Sequence, residues 1–286
     1  MKLIRFGNVG EEKPGIVTED GRQLDVSAFG IDWNEEFLGD ESGFQKLAEW
    51  LEAHQQDCPE VPAGTRLGSP IVRPSKIICV GLNYSLHAKE SGMEVPAQPV
   101  LFMKATSSLS GPFDDIVIPK NSQATDWEVE LAIIIGKKAS YVSKEDAYDH
   151  IAGYAVHNDV SERDFQLRHG GQWVKGKSAD TFAPLGPWLV TKEAVANPNN
   201  LHLWLKLNGT TVQDSSTSDL VFDVPTLVSY ISQYMTLLPG DVISTGTPSG
   251  VGMGFNPPVY LKEGDVVELG VEGLGTSKQQ VVAYKG

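Results

Sequence analysis

Short apolar runs bounded by Gly, Pro, Asn or Asp recur along this chain far more often than helical spacing does. Residues 77–80, 129–135, 151–157, 201–207, 242–244 and 266–270 each have the length and punctuation of a strand. Helical spacing is confined to a few places. Phe44, Leu47, Trp50 and Leu51 fall on one face, and so do Val224, Leu227, Val228 and Ile231, with Pro225 in the first turn where it is tolerated. Ser143 followed by Asp146 resembles a capping box and predicts a short helix to about His150. Frequent strands with few helices between them predict a β-rich α+β fold and not a doubly wound parallel sheet.

The N-terminal part has its own pattern. Residues 2–6 and 15–18 alternate as short strands, and Asp20-Gly21 is a hairpin turn into 22–26. With the helix around Leu47, this predicts a small α/β domain over residues 1–66, regular to about residue 56. Residues 57–74 carry four prolines and two glycines and read as a linker. Residues 67–286 then form the larger β-rich domain.

Composition narrows the function. With 23 basic and 37 acidic residues the net charge is −14, a field that repels nucleic acid and anionic lipid. No stretch approaches the roughly 20 apolar residues needed to span a bilayer. The start, Met1-Lys2-Leu3-Ile4-Arg5, has no apolar signal-peptide core, and the two cysteines, Cys58 and Cys79, suggest neither a disulfide framework nor a zinc site. The expected compartment is the cytoplasm.

The informative segment is 126–136, Asp-Trp-Glu-Val-Glu-Leu-Ala-Ile-Ile-Ile-Gly. Strand alternation puts Val129, Leu131, Ile133 and Ile135 on a core face, and Glu128, Glu130, Ala132 and Ile134 on the other. That second face turns apolar toward its C-terminal end, so it too reads as covered. Paired carboxylates on a covered face repel each other and lose hydration unless a positive charge lies between them. On alternation alone, a solvated strand start is the commoner explanation, since Glu is seldom buried. A second apolar strand, 151–159, also ends in an acid, Asp159. Three carboxylates without a thiolate favour Mg²⁺ or Mn²⁺. His157 stays unassigned. Beyond Asp159, Arg163 and Gln166 share a helical face and suit a small keto acid, although an ordinary capped surface helix gives the same pattern.

Three further segments carry candidate chemistry. His87 follows a strand and a glycine turn, and Glu90, three positions on, can hold one ring nitrogen and leave the other as a base; a surface His-Glu pair reads the same way. Residues 171–178 satisfy the phosphate-loop pattern GxxxxGK[ST], yet a polar stretch precedes them and Pro184 and Pro187 follow, so the match is rejected and Lys177 is kept as a lone cation. The Gly-rich loop 245–252 could cradle a carboxylate or simply turn the chain.

Taken together, Val80-Gly81-Leu82-Asn83-Tyr84 with His87 and Glu90, Leu101-Phe102-Met103-Lys104, the 126–131 segment, Asn158-Asp159 through Asp164, Lys177-Ser178 with Asp180, and Thr245-Gly246-Thr247-Pro248 resemble the fumarylacetoacetate hydrolase family in order and spacing. The resemblance runs from about Arg73 to the C-terminus, and Ala105 departs from it where the family often has proline. It implies a mixed β-sandwich roll with a small N-terminal domain, assembled as a homodimer. Glu128, Glu130 and Asp159 match the metal ligands, for Mg²⁺ or Mn²⁺. His87 and Glu90 match the water-activating dyad and Lys177 the active-site lysine. Arg163, Gln166 and Thr247 match substrate-contacting positions. The texture is most similar to bacterial hydrolases of 2,4-diketo-3-deoxy sugar acids derived from L-rhamnonate or L-fuconate. Acylpyruvate hydrolysis, oxaloacetate decarboxylation and ureidoglycolate cleavage are alternatives within the enzymes. A keto-acid or metal binding module is the alternative outside them.

Overall fold

At the centre lies the strand Val129–Ile135, with every residue buried. The computed structural model describes residues 1–90, 92 and 94–285. The central strand pairs antiparallel with Ile151–Asn158 on one side and with Val242–Ser244 on the other. Around it the sheet grows to nine strands in the order Gln23–Asp25, Lys13–Val17, Lys2–Phe6, Leu189–Thr191, Ile151–Asn158, Val129–Ile135, Val242–Ser244, Ile77–Gly81 and Val100–Lys104. Neighbours are antiparallel except Val242–Ser244 beside Ile77–Gly81. A second sheet of five strands runs Thr210–Ser216, His202–Leu207, Val266–Val271, Gly275–Ala283 and Ile116–Ile118.

The two sheets share a core. Val129, Leu131, Ile133 and Ile135 cluster with Leu203, Leu205, Val267 and Leu269 of the second sheet, and with Leu227 and Val228 of the helix Val224–Ser232. Interdigitation of two inner faces in this way defines a sandwich. Asp223 caps that helix by accepting from Thr226 N at 3.1 Å, and Pro225 stands in its first turn, as the spacing predicts.

The other face of the large sheet is closed by the N-terminal residues. Helix Gly43–His54 presents Leu47 and Leu51, and the capped helix Glu35–Gly39 presents Phe37 and Leu38. They join one apolar cluster with Cys79, Ala132, Ile134 and Ala155. Strand Lys2–Phe6 pairs with Leu189–Thr191, so the N-terminal strands extend the large sheet directly.

Two local expectations are corrected. Residues 57–74 are not a loose linker: Val61, Leu67 and Ile71 are buried, and isolated bridges tie Glu60 to Leu24 and Leu67 to Phe6. Proline removes ladder hydrogen bonds without preventing side-chain burial. The predicted helix to His150 is a single 3₁₀ turn, Ala147–His150, although Ser143 Oγ does accept from Asp146 N at 3.2 Å.

Candidate active site

Strand register brings the carboxylates together. His157 lies opposite Glu130 and Asn158 opposite Val129. Asp159 then falls beside Glu128, and its N–H donates to the Glu128 carbonyl at 2.9 Å. One oxygen from each of Glu128, Glu130 and Asp159 lies within 4.8 Å of the others, and all three residues are buried.

Buried cations meet two of the three. Lys177 Nζ donates to Glu128 Oε2 at 2.8 Å and to Asp159 Oδ2 at 2.9 Å. Lys104 Nζ donates to Asp159 Oδ1 and to the Val160 carbonyl. Arg163 Nη2 stands 2.7 Å from Glu128 Oε1, and its Nε donates to Asp126 at 2.8 Å. Glu130 differs. Among the described residues no Lys or Arg pairs with it, and its Oε2 accepts from Ser244 Oγ and from Gly246 N at 2.8 Å. Burial, with Asp159 and Glu128 nearby, pushes the Glu130 carboxyl well above the usual range. Burial pushes Asp159 up too, but the ammonium groups of Lys104 and Lys177 override it and hold its carboxyl low. For Lys177 burial opposes the charge, and Asp159 and Glu128 more than restore it, so its pKa is raised.

His87 rides on helix Ser85–Glu90, directly after the strand Ile77–Gly81 and its turn. Its Nδ1 lies 3.4 Å from Glu90 Oε2, and Glu90 is itself fixed by Gly250 N at 3.0 Å. Asn83 anchors the start of the helix, donating to the Thr245 carbonyl at 2.7 Å. The Gly-rich loop does cradle carboxylates, but they are the chain's own: Gly246 N serves Glu130, Gly250 N serves Glu90, and Gly252 N and Met253 N serve Asp126. Gly246 has φ +103°, and a Cβ there would stand 2.8 Å from Asn83 Cβ, so both backbone angle and space demand glycine.

One cleft collects these groups. His87, Glu128, Glu130, Arg163, Gln166, Lys177 and Thr247 line it, with Phe102 and Trp173 as its apolar walls. Arg163 Nη1 donates to Gln166 Oε1 at 3.1 Å, as their shared helical face predicts. Thr247 donates to the Val129 carbonyl at 3.0 Å and accepts from Gln213 at 2.8 Å. The rejected phosphate-loop match ends in a four-residue helix, Val174–Lys177, whose Lys177 turns inward while Lys175 stays exposed. The donor set fits a hard divalent cation: three converging carboxylate oxygens, with a buried acid, Glu130, that lacks a cationic partner among the described residues.

A family model for the fumarylacetoacetate (FAA) hydrolase C-terminal region matches residues 76–282. The chain belongs to the fumarylacetoacetate hydrolase family. Among its relatives, a 2,4-didehydro-3-deoxy-L-rhamnonate hydrolase from Sphingomonas sp. (strain SKA58) is 47% identical over 286 residues, covering 100% of this chain and 97% of that protein. Among solved structures, fumarylacetoacetate hydrolase from psychrophilic Exiguobacterium antarcticum is 38% identical with a TM-score of 0.84, covering 99% of this chain and 100% of that one. Maleylpyruvate hydrolase from Sphingobium sp. SYK-6, solved with manganese(II) ion and pyruvate, is 34% identical with a TM-score of 0.82 and full coverage of both chains, 100% and 100%. The mixed, strand-rich architecture of the fumarylacetoacetate hydrolase type is therefore the one observed.

Sequence reasoning gave no role to several residues of this family site. Lys104 and Asp126 entered only as parts of the matched motifs. Ser244 and His157, whose Nδ1 lies 2.6 Å from Ser244 Oγ, join the site through pairing between distant strands. Burial pushes the His157 imidazole down to about 3, with Asp159 opposing the shift, so it is neutral at physiological pH. The departure at Ala105 has a use: its N–H donates to Ser178 Oγ at 2.8 Å, a bond that proline could not make.

Proposed function

We propose that this protein is a divalent-metal-dependent hydrolase that cleaves the C3–C4 bond of a 2,4-diketo acid, releasing pyruvate and a hydroxy acid. The favoured substrates are 2,4-diketo-3-deoxy-L-rhamnonate and -L-fuconate, and the favoured setting is a cytoplasmic homodimer. The reading rests on one observation: Glu128 and Glu130, which converge with the buried Asp159, line a single cleft with His87, the partner of Glu90. The choice of sugar acid is supported by the rhamnonate-type relative from Sphingomonas.

Glu128, Glu130 and Asp159 would hold Mg²⁺ or Mn²⁺, which supplies Lewis-acid polarisation of the 2-oxo group and charge compensation for a pyruvate enolate. The chain's own groups do the rest. Arg163 retains free N–H groups beyond those used on Asp126, Glu128 and Gln166, and these orient the substrate carboxylate. Glu90 fixes His87 through Nδ1, leaving Nε2 to take a proton from water as the oxygen adds to C4. The C3–C4 bond then breaks, its electron pair moving onto the C2–C3 enolate. Lys177 keeps an N–H beyond its two bonds to Glu128 and Asp159 and delivers the proton that C3 needs, and the proton held on His87 returns to Lys177 through solvent to restore both groups. Water's remaining O–H completes the second acid, so the atoms balance.

The test is pyruvate release from a diketo sugar acid, an acylpyruvate and oxaloacetate, with Mg²⁺ or Mn²⁺ and after exhaustive chelation. The expected result is cation-dependent release, fastest from the sugar acid, and a fall of about 10²–10⁴-fold in His87→Ala. Full activity of Glu128→Ala in chelator would sink the mechanism. Cation binding with no pyruvate from any substrate would favour a binding module instead.

A further inference from the structure

Every residue that lines the cleft without a part in the chemistry above is apolar: Leu82, Phe102, Leu167, Trp173 and Met253, backed by Val80 and Gly81. Their packing is specific. A Cβ on Gly81 would stand 2.6 Å from Trp173 Cζ3, so the indole rests on bare backbone that only glycine leaves open. Phe102 meets that indole edge-on, with ring centroids 5.2 Å apart at 62°. The Phe102 ring also lies 4.9 Å from Lys177 Nζ, so the apolar wall starts at the lysine and runs out to Trp173. Leu82, Phe102, Trp173 and Met253 are half-buried and Leu167 is exposed, which leaves apolar surface for an incoming group to cover.

The cations nearby are already engaged. Arg163 pairs with Asp126 and Glu128, Lys177 with Glu128 and Asp159, and Lys104 with Asp159. Five acids in and around the cleft, Glu90, Asp126, Glu128, Glu130 and Asp159, stand against these three, and a dication would do no more than level the count. In the proposed reaction Arg163 meets the one carboxylate beside the 2-oxo group. A second carboxylate, beyond C4, would lie against the apolar wall with no spare cation among the described residues, and a carboxylate desolvated without a partner is costly. We infer that Trp173, with Leu82, Leu167 and Met253, seats the substituent on C4 and determines specificity: the seat takes a neutral, methyl-ended chain and refuses a second carboxylate. The second acid released is then a monocarboxylic one. The inference rests on the hydrolase reading for the position of C4 and adds to it the class of acyl group.

The test uses the full chain with Mn²⁺ and two matched pairs of ligands. Butyrylpyruvate and succinylpyruvate differ only in a methyl against a carboxylate at the far end, and pyruvate release gives kcat/KM for each. The pair 2-oxoheptanoate and 2-oxoheptanedioate differ in the same way but lack the 4-oxo group, so they are not cleaved, and calorimetry gives their affinities. The wild type is expected to favour the methyl-ended member of each pair by about 10²-fold. Trp173→Arg sets a cation in the wall and should move both preferences toward the dicarboxylate by at least about tenfold. Leu167→Arg, at an exposed position, makes the same test should Trp173→Arg not fold. A wild type that takes both members alike, or a preference that neither arginine variant moves, would overturn the inference. If pyruvate is released but the uncleaved pair binds without preference, the inference falls and the hydrolase reading stands. If that pair binds with the preference but no diketo acid yields pyruvate, the hydrolase reading falls and the neutral seat stands.

Discussion

The two faces of the strand Val129–Ile135 are both closed, by opposite means. On one, Val129, Leu131, Ile133 and Ile135 meet the second sheet in a core without charge. On the other, Ala132 and Ile134 lie under apolar N-terminal side chains, while Glu128 and Glu130 lie under Arg163, Lys177 and the Gly246 loop. Burying a Leu or Ile side chain contributes about 1.5–3 kcal/mol. Burying an ion pair contributes little, because the lost hydration cancels most of the attraction. Two residues apart on one face, the chain thus changes from a surface that stabilises it to one that must be held together. The charged end makes sense through chemistry and the apolar end through stability.

That contrast can be broken most severely at Lys177. Lys177→Met leaves Glu128 without one of its two cations and Asp159 with Lys104 alone. Breaking a buried pair from one side costs about 3–5 kcal/mol, and urea unfolding in EDTA should show a loss of that size. A loss below about 1 kcal/mol would mean that water, and not the ammonium, compensates these acids. Next comes Leu131→Ala on the dry face, expected to cost about 2–5 kcal/mol while leaving Mn²⁺ affinity unchanged. An equal loss of affinity would show that the two faces do not work independently.

How far this division was legible depends on the range of the contacts. Alternation in 129–135 separates the two faces from sequence alone, and Asp159 could be added because its strand also ends in an acid. The cover over Ala132 and Ile134 could not be read. It comes from Phe37 and Leu47, about ninety residues upstream, through pairing of Lys2–Phe6 with Leu189–Thr191 that no local pattern encodes. The same is true of the charge partners. Lys104 closes a strand whose other side chains are partly exposed, so its burial follows only from the position of Asp159. Ser244 looks like an ordinary strand end until its pairing with Ala132 places it over Glu130. The family's spacing supplied what periodicity lacked for His87, Lys177 and Thr247. It gave Lys104, Ser244 and Gly246 no part in holding the carboxylates.

The smallest expected effect is also the sharpest, because it lies at Glu130, next to Leu131 in sequence and opposite in sign. Among the described residues Glu130 has no cationic partner, and Glu130→Gln removes its titrating carboxyl while keeping an oxygen for Ser244 and Gly246. Without cation it should stabilise the chain by about 0.5–2 kcal/mol, while cation-dependent pyruvate release is lost. The pH dependence distinguishes this from a packing effect. The Glu130 carboxyl titrates well above its ordinary value of 4.5, so as pH rises past that value the unfolded chain loses this proton before the native one does. Over that window the native state holds the extra proton, and stability falls with rising pH. Asp159, held below its ordinary value of 3.8, acts in a separate and lower window, where stability is lost as pH falls. In EDTA, Glu130→Gln should therefore flatten the slope above pH 4.5 and leave the acid limb below 3.8 unchanged. Cation affinity in the wild type should rise across the upper window, since the ligand must first lose its proton. A slope that survives Glu130→Gln would place the unpartnered charge elsewhere in the cleft.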